Sequence, residues 1–208
     1  MVCSMFLTRH FVFVHIPKTG GNFVHTILQN HAPADWELQT FDMHAGHEKI
    51  PESHRHLPRL AFARNPFSWH VSWFHFQQKT RDKMFMAISD NGKLGFADTM
   101  RRAYTGDGLL AKSSGALTQT LLQMLGEGLE GTMVGKIESM REELLRMFGQ
   151  CTEVPEAMAA AIQQVPSQNT SKHAHYSTYY DRELRDIVRQ KDGPVFDHFG
   201  YEWQEPPE

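Results

Sequence analysis

Phe11-Val12-Phe13-Val14-His15-Ile16-Pro17-Lys18-Thr19-Gly20-Gly21-Asn22-Phe23-Val24 is the stretch on which the fold turns. It opens with a short apolar run rich in aromatic and β-branched residues, the pattern of a buried strand. Pro17 and the Gly20-Gly21 pair end that strand in a tight turn. Phe23, Val24, Ile27 and Leu28 then recur at helical spacing, so a helix is expected over 23–30. Strand, glycine turn and helix together present backbone N–H groups and a helix N-terminus to an anion. Lys18 adds a positive charge at the same mouth. The stretch reads as a phosphate-type site.

The rest of the chain bounds what such a site can serve. At 208 residues it suits one domain with a real core, and 40% apolar with 22% charged residues is globular composition. A net charge of −3 argues against a general nucleic-acid binder, which is usually strongly basic. Two cysteines, Cys3 and Cys151, cannot build a disulfide framework, so a reducing compartment is the simpler setting. No stretch reaches the ~18 apolar residues of a membrane span. The N-terminal apolar run ends in His15, Pro17 and Lys18 without a small-residue cleavage site, so the expectation is a cytoplasmic protein.

Onward from the turn, His31 to Asp35 breaks the helix, and Trp36 to Phe41 reads as a short strand or extended segment. Pro51 to Pro58 is a polar surface helix or loop. Arg59 to Ala63 is a second buried strand, ended by Arg64-Asn65-Pro66. In the helix that follows, Trp69, Trp73 and Phe76 share one face. Helical pieces are expected at Lys83–Ile88 and Phe96–Tyr104, with 77–130 as an insertion on the substrate side. Leu117 to Leu125 is a helix, and Thr132 to Gly135 a third short strand. Ser139 with Glu142 matches a capping box for a helix from Met140 to Phe148. Further helices are expected at Pro155–Gln164 and Asp181–Lys191. Val195 to Trp203 should dock on the core, and 204–208 should fray. Strands alternating with helices give an α/β class with a central parallel sheet, P-loop-like and three-layered.

A Walker A loop places its lysine after the second glycine, followed by a hydroxyl for magnesium. Here Lys18 precedes the glycines, Asn22 follows them, and no strand ends in an obvious metal-binding Asp. That suits a nucleotide whose reacting group is held without a metal. The residues themselves resemble a family at this point. Pro17-Lys18-Thr19-Gly20-Gly21 is similar to the 5′-phosphosulfate loop of sulfotransferases that use 3′-phosphoadenosine-5′-phosphosulfate (PAPS). Arg64-Asn65-Pro66, with Ser72 eight residues after Arg64, resembles the family's 3′-phosphate motif. Val134 to Glu138, Asn169-Thr170-Ser171-Lys172 and Phe199-Gly200-Tyr201 fit as well. The flavour is nearest to carbohydrate or Golgi-type sulfotransferases and their bacterial relatives.

The resemblance implies roles. Thr19, Gly20, Gly21 and Asn22 would offer backbone N–H groups to the 5′-phosphate, although the family commonly has Ser or Thr at Asn22. Arg64 and Ser72 would hold the 3′-phosphate, and Ser171 and Lys172 would also contact the nucleotide. Lys18 would stabilise negative charge growing on the leaving phosphate, favouring the transition state over the ground state. The acceptor is a hydroxyl on a glycan or small molecule, and its base is His44 in a His-Ala-Gly segment, His47, or Glu48. No metal is needed. Three rivals remain: a P-loop kinase or NTPase, a metal site from His44, His47, His54 and His56, and an inactive nucleotide-binding module. The order of lysine and glycines disfavours the first. The absence of a His-Glu-x-x-His pattern or a cysteine pair disfavours the second.

Overall fold

A computed structural model describes residues 4–43, 45–127, 129, 131–166 and 173–205. It forms two compact units, one of residues 1–64 with 121–170, the other of 65–120 with 171–208. Among the described residues the elements run β1 (Ser4–Leu7), β2 (Val12–Phe13), α1 (Gly21–His31), β3 (Gln39–Met43), β4 (Arg59–Ala63), α2 (Pro66–Thr80), α3 (Lys83–Ile88), α4 (Phe96–Tyr104), α5 (Ala116–Leu125), β5 (Thr132–Lys136), α6 (Met140–Cys151), α7 (Glu156–Gln164), α8 (Arg182–Lys191) and α9 (Gly193–Phe199). No helix among them is long and apolar enough to cross a membrane.

The first unit carries the sheet, in the order β3-β1-β2-β4-β5. β2, β4 and β5 pair in parallel, while β1 is antiparallel to both β2 and β3. Four strands therefore share one direction, and β1 alone runs against them. The expected α/β sheet is present, mostly rather than wholly parallel. The reversal is built by Thr8, whose buried hydroxyl donates to the Phe11 carbonyl at 2.8 Å and accepts from the amides of His10 and Phe11. That hydroxyl replaces the glycine a tight hairpin usually needs. β2 itself is short, but Val14 N–H still donates to the Leu60 carbonyl at 2.8 Å, so the run continues beside β4 beyond its labelled end.

One face of the sheet buries Phe6, Phe13, Leu60 and Phe62 against α1, α6 and α7, with Leu28, Phe148 and Ile162 at full burial. The opposite face buries Met5, Leu7, Val12 and Ala61. Burial on both faces is the condition for a parallel sheet in a layered α/β fold.

The second unit is helical among the described residues. Asn65 caps α2 by accepting from Phe67 N–H at 3.0 Å, and Pro66 opens the helix, where its missing N–H costs nothing. α2 is buried on most of its circumference: Trp69, Val71, Ser72, Trp73 and Phe74 are all covered. Phe76, expected on the buried face with Trp69 and Trp73, is 46% exposed. Phe67 stands at the centre of an aromatic group, with Phe196 at 4.8 Å, Trp203 at 5.0 Å and Tyr180 at 5.2 Å between ring centroids. Gln204, expected to fray, donates its amide to the Tyr176 hydroxyl at 2.7 Å. Asp192, 0% exposed, gathers the helices by accepting from His70 of α2 at 2.7 Å and from the Thr118 amide and hydroxyl of α5, each at 2.8 Å. Burial pushes the neighbouring Tyr104 phenol well above its ordinary pKa, and its oxygen accepts from the Ala116 amide at 2.9 Å.

Candidate functional site

The turn from β2 to α1 is shaped by sterics that the sequence pattern only hinted at. Lys18 has φ 67 and Gly20 φ 76, so two left-handed residues flank Thr19. A non-glycine residue there costs about 1–2 kcal/mol, a strain held only where the surroundings impose it. The brace is Thr19, 2% exposed, whose hydroxyl donates to the Ile16 carbonyl at 2.8 Å. The Thr19 amide turns the same way, at 3.4 Å. Both Thr19 donors are thus directed at Ile16.

Neither glycine can carry a side chain without displacement. A Cβ on Gly20 would run into the end of the Met140 side chain, and one on Gly21 would overlap the His15 ring. Gly20 sits at the N-cap of α1, where no side chain caps the helix and no acidic residue enters the first turn. The leading N–H groups of a helix lack intrahelical acceptors, and its dipole adds partial positive charge at that end.

Arg64 follows the last residue of β4 and reaches the turn: its Nη1 donates to the Lys18 carbonyl at 3.3 Å. Lys136 ends β5 and is paired in register with Ala63, the residue before Arg64. The carboxyl edge of the parallel strands therefore gathers Lys18, Arg64 and Lys136 around an uncapped helix start. Lys136 lies in the segment Val134 to Glu138 that fits the family's pattern, but it was not among the candidate site residues. The signal that could have promoted it was its place at the end of an expected strand, since ligands in open α/β sheets bind at carboxyl ends.

Of the sequence-derived candidates, the structure assembles Pro17, Lys18, Thr19, Gly20, Gly21, Asn22 and Arg64. Ser72 lies in α2 of the second unit, 2% exposed, and its hydroxyl makes no hydrogen bond among the described residues. His44, Asn169, Ser171 and Lys172 lie outside the described residues. His47 and Glu48 are not brought to Lys18. They line a cavity with Arg59 and Thr132, the first residues of β4 and β5, at the other end of these strands. The His47 ring rests against Gly126, where a Cβ would come within 2.9 Å of its Nε2. Among the described residues no group of three or more His, Cys, Asp or Glu side chains could hold a metal ion.

No family model matches the chain, and no curated protein matches it in sequence. Among solved structures it is similar to mouse sulfotransferase SULT7A1 complexed with PAP. The likeness has 13% identity, covers 92% of this chain and 88% of that one, and reaches a TM-score of 0.52. At that identity the two share a fold.

Proposed function

We propose that this chain is a sulfotransferase with PAPS as donor and a hydroxyl of a glycan or small molecule as acceptor. The observation that carries the reading is the 3.3 Å hydrogen bond from Arg64 to the Lys18 carbonyl. It joins the two motifs that the sequence assigns to the two ends of one nucleotide. The fold shared with a PAP-complexed sulfotransferase supports the reading. So does the chemistry of the turn: an uncapped helix start free of first-turn carboxylates accepts phosphate and repels nothing anionic.

PAPS, when bound, supplies the sulfuryl group and a phosphate as its leaving group. In this reading the amides of Gly20, Gly21 and Asn22 hold the 5′-phosphate, while Pro17 and Thr19 fix the turn. Arg64 offers a planar fork of donors to the 3′-phosphate, a role that the family resemblance extends to Ser72; the same resemblance gives Ser171 and Lys172 to the nucleotide. Lys18 stabilises charge that grows on the leaving phosphate, an effect worth about 10²–10³ in rate when donors are preorganised. Lys18's left-handed backbone is such preorganisation. His44 takes the acceptor proton; the cavity position of His47 and Glu48 favours His44 over both.

Thermal denaturation with PAP tests the assignment directly. At 100 times its Kd, PAP should stabilise by about 2.7 kcal/mol. A flat midpoint removes the PAPS reading. A rise with ATP and magnesium instead points to a kinase or NTPase, and PAP binding without transfer to any hydroxyl acceptor points to an inactive nucleotide-binding module.

A further inference from the structure

The second unit groups three histidines to which the proposed transfer assigns no role, where residues 173–179 lie against α2. His75 of α2 and His173 stack face to face, with ring centroids 5.2 Å apart and planes 13° from parallel. Tyr179 stands edge-on to both rings, and its hydroxyl meets His75 Nε2 at 3.1 Å. The third, His175, starts the 3₁₀ turn Tyr176–Tyr179. Its Nδ1 accepts from the Ser177 amide at 3.4 Å and pairs with the Ser177 hydroxyl at 2.8 Å.

Each arrangement depends on uncharged rings. A carbonyl can only accept, so the 2.9 Å contact between His173 Nδ1 and the Ala174 carbonyl places a proton on that nitrogen. A further proton charges the ring, and a charged His75 would then face it across the stack. Like charges at that distance repel. At His175 the conflict is simpler: a protonated Nδ1 has no lone pair left for the Ser177 amide. Among the described residues no carboxylate pairs with any of the three. The other titratable groups nearby are Tyr179, Tyr176 against the His175 ring, and Lys79 one turn along α2. On α4, whose Phe96 packs on Tyr179, Arg101 is engaged by Asp181 and Glu183. Burial, then the His173 charge, holds the His75 imidazole below its ordinary 6.5. The stack therefore stabilises fully above 6.5 and fades as pH falls below that value.

We propose that residues 173–179 are an acid-sensitive latch on α2, closed while His75, His173 and His175 are neutral and released as they take up protons. Release frees only the edge from His173 to Tyr179. The Tyr180 hydroxyl still donates to the Phe67 carbonyl at 2.9 Å, a bond in which no histidine takes part. The latch does not depend on the reaction proposed above.

The test is amide hydrogen exchange and imidazole NMR of the full chain. The Ser177 and Thr178 amides donate to His175 Nδ1 and to the His175 carbonyl. Their protection should fall about tenfold from pH 7 to pH 5. The Trp69 amide, which donates to the Asn65 carbonyl at the start of α2, should hold. The His75 and His173 rings should titrate in two separated steps, the lower one below 6.5. His173→Phe keeps a ring in the stack and His175→Asn keeps a capping acceptor, so the double variant should retain its protection at pH 5. The proposal is overturned if the parent stays fully protected at pH 5, if the double variant loses protection as the parent does, or if both rings titrate independently at 6.5 or above. PAP enters none of these measurements, so failure of the transfer assignment and failure of the latch are read separately.

Discussion

Around Lys18 in the first unit, no side chain caps the start of α1, and Lys18, Arg64 and Lys136 stand at the carboxyl ends of the parallel strands. Around Asp192 in the second unit, polar groups close on one another. Both carboxylate oxygens are engaged, by Thr118 twice and by His70 once, and nothing of the residue is exposed. The difference separates the proposed site from a brace. A buried polar group completed by its own protein serves stability and specificity of packing. At the start of α1, by contrast, no side chain supplies the cap.

Substitutions on the two sides should therefore fail in opposite ways. The largest expected effect is Asp192→Ala. It strands His70 and the Thr118 donors in the interior and should cost about 3–5 kcal/mol in urea unfolding. An unchanged midpoint would show that Asp192 is not the anchor of its unit. Lys18→Ala should leave unfolding nearly unaltered and lower the PAPS-dependent transfer rate by about 10²–10³. Equal losses of stability and rate would erase the contrast. Gly21→Ala sharpens it, because the added methyl meets the His15 ring. Overpacking of that kind costs about 1–3 kcal/mol, and PAP affinity should fall with it.

The smallest effect belongs to an exposed pair. The Leu184 amide, then Arg101, hold the Asp181 carboxyl below its ordinary 3.8. A depressed folded pKa means that the stabilisation is present above 3.8 and fades as acid protonates the group below that value. The gap in thermal midpoint between the parent and Asp181→Asn should accordingly be small at pH 6 and shrink as the pH falls below 3.8. A gap that widens in acid would contradict the sign.

Local signals in the sequence carried well where the structure is local. β4, α3 and α4 occupy the expected spans Arg59–Ala63, Lys83–Ile88 and Phe96–Tyr104. α3 is fixed by Asp82, which accepts from Phe85 N–H at 3.1 Å, a cap decided within four residues. β1 escaped notice because four residues show no useful alternation and its hairpin is made by Thr8 rather than by glycine. α2 misled because it is covered on most sides, so no stripe distinguishes Phe76 from Trp73. The capping box at Ser139 does not form: that residue closes a 3₁₀ turn over Ile137–Ser139 and makes no side-chain cap. The meeting of Lys18 and Arg64 was legible because each follows the end of an expected strand. His47 was not, since a spacing of two histidines says nothing about which end of a sheet receives them.

The pairing of the sheet also dictates when the proposed anion site can form. The β1–β2 hairpin closes locally, whereas β2 joins β4 through Val12↔Arg59, and β4 joins β5 from Arg59↔Thr132 to Ala63↔Lys136. Lys18 and Arg64 stand 46 residues apart in the chain, so they meet only after long loops have closed. Such closures come at an entropic cost before any contact rewards them, which makes them slow steps in folding. A chain holding only its N-terminal hairpin would have the lysine and both glycines but no arginine beside them. On the proposed function, affinity for PAP would then be acquired late and all at once. In refolding, its return should coincide with the slowest phase of sheet formation rather than with the first collapse.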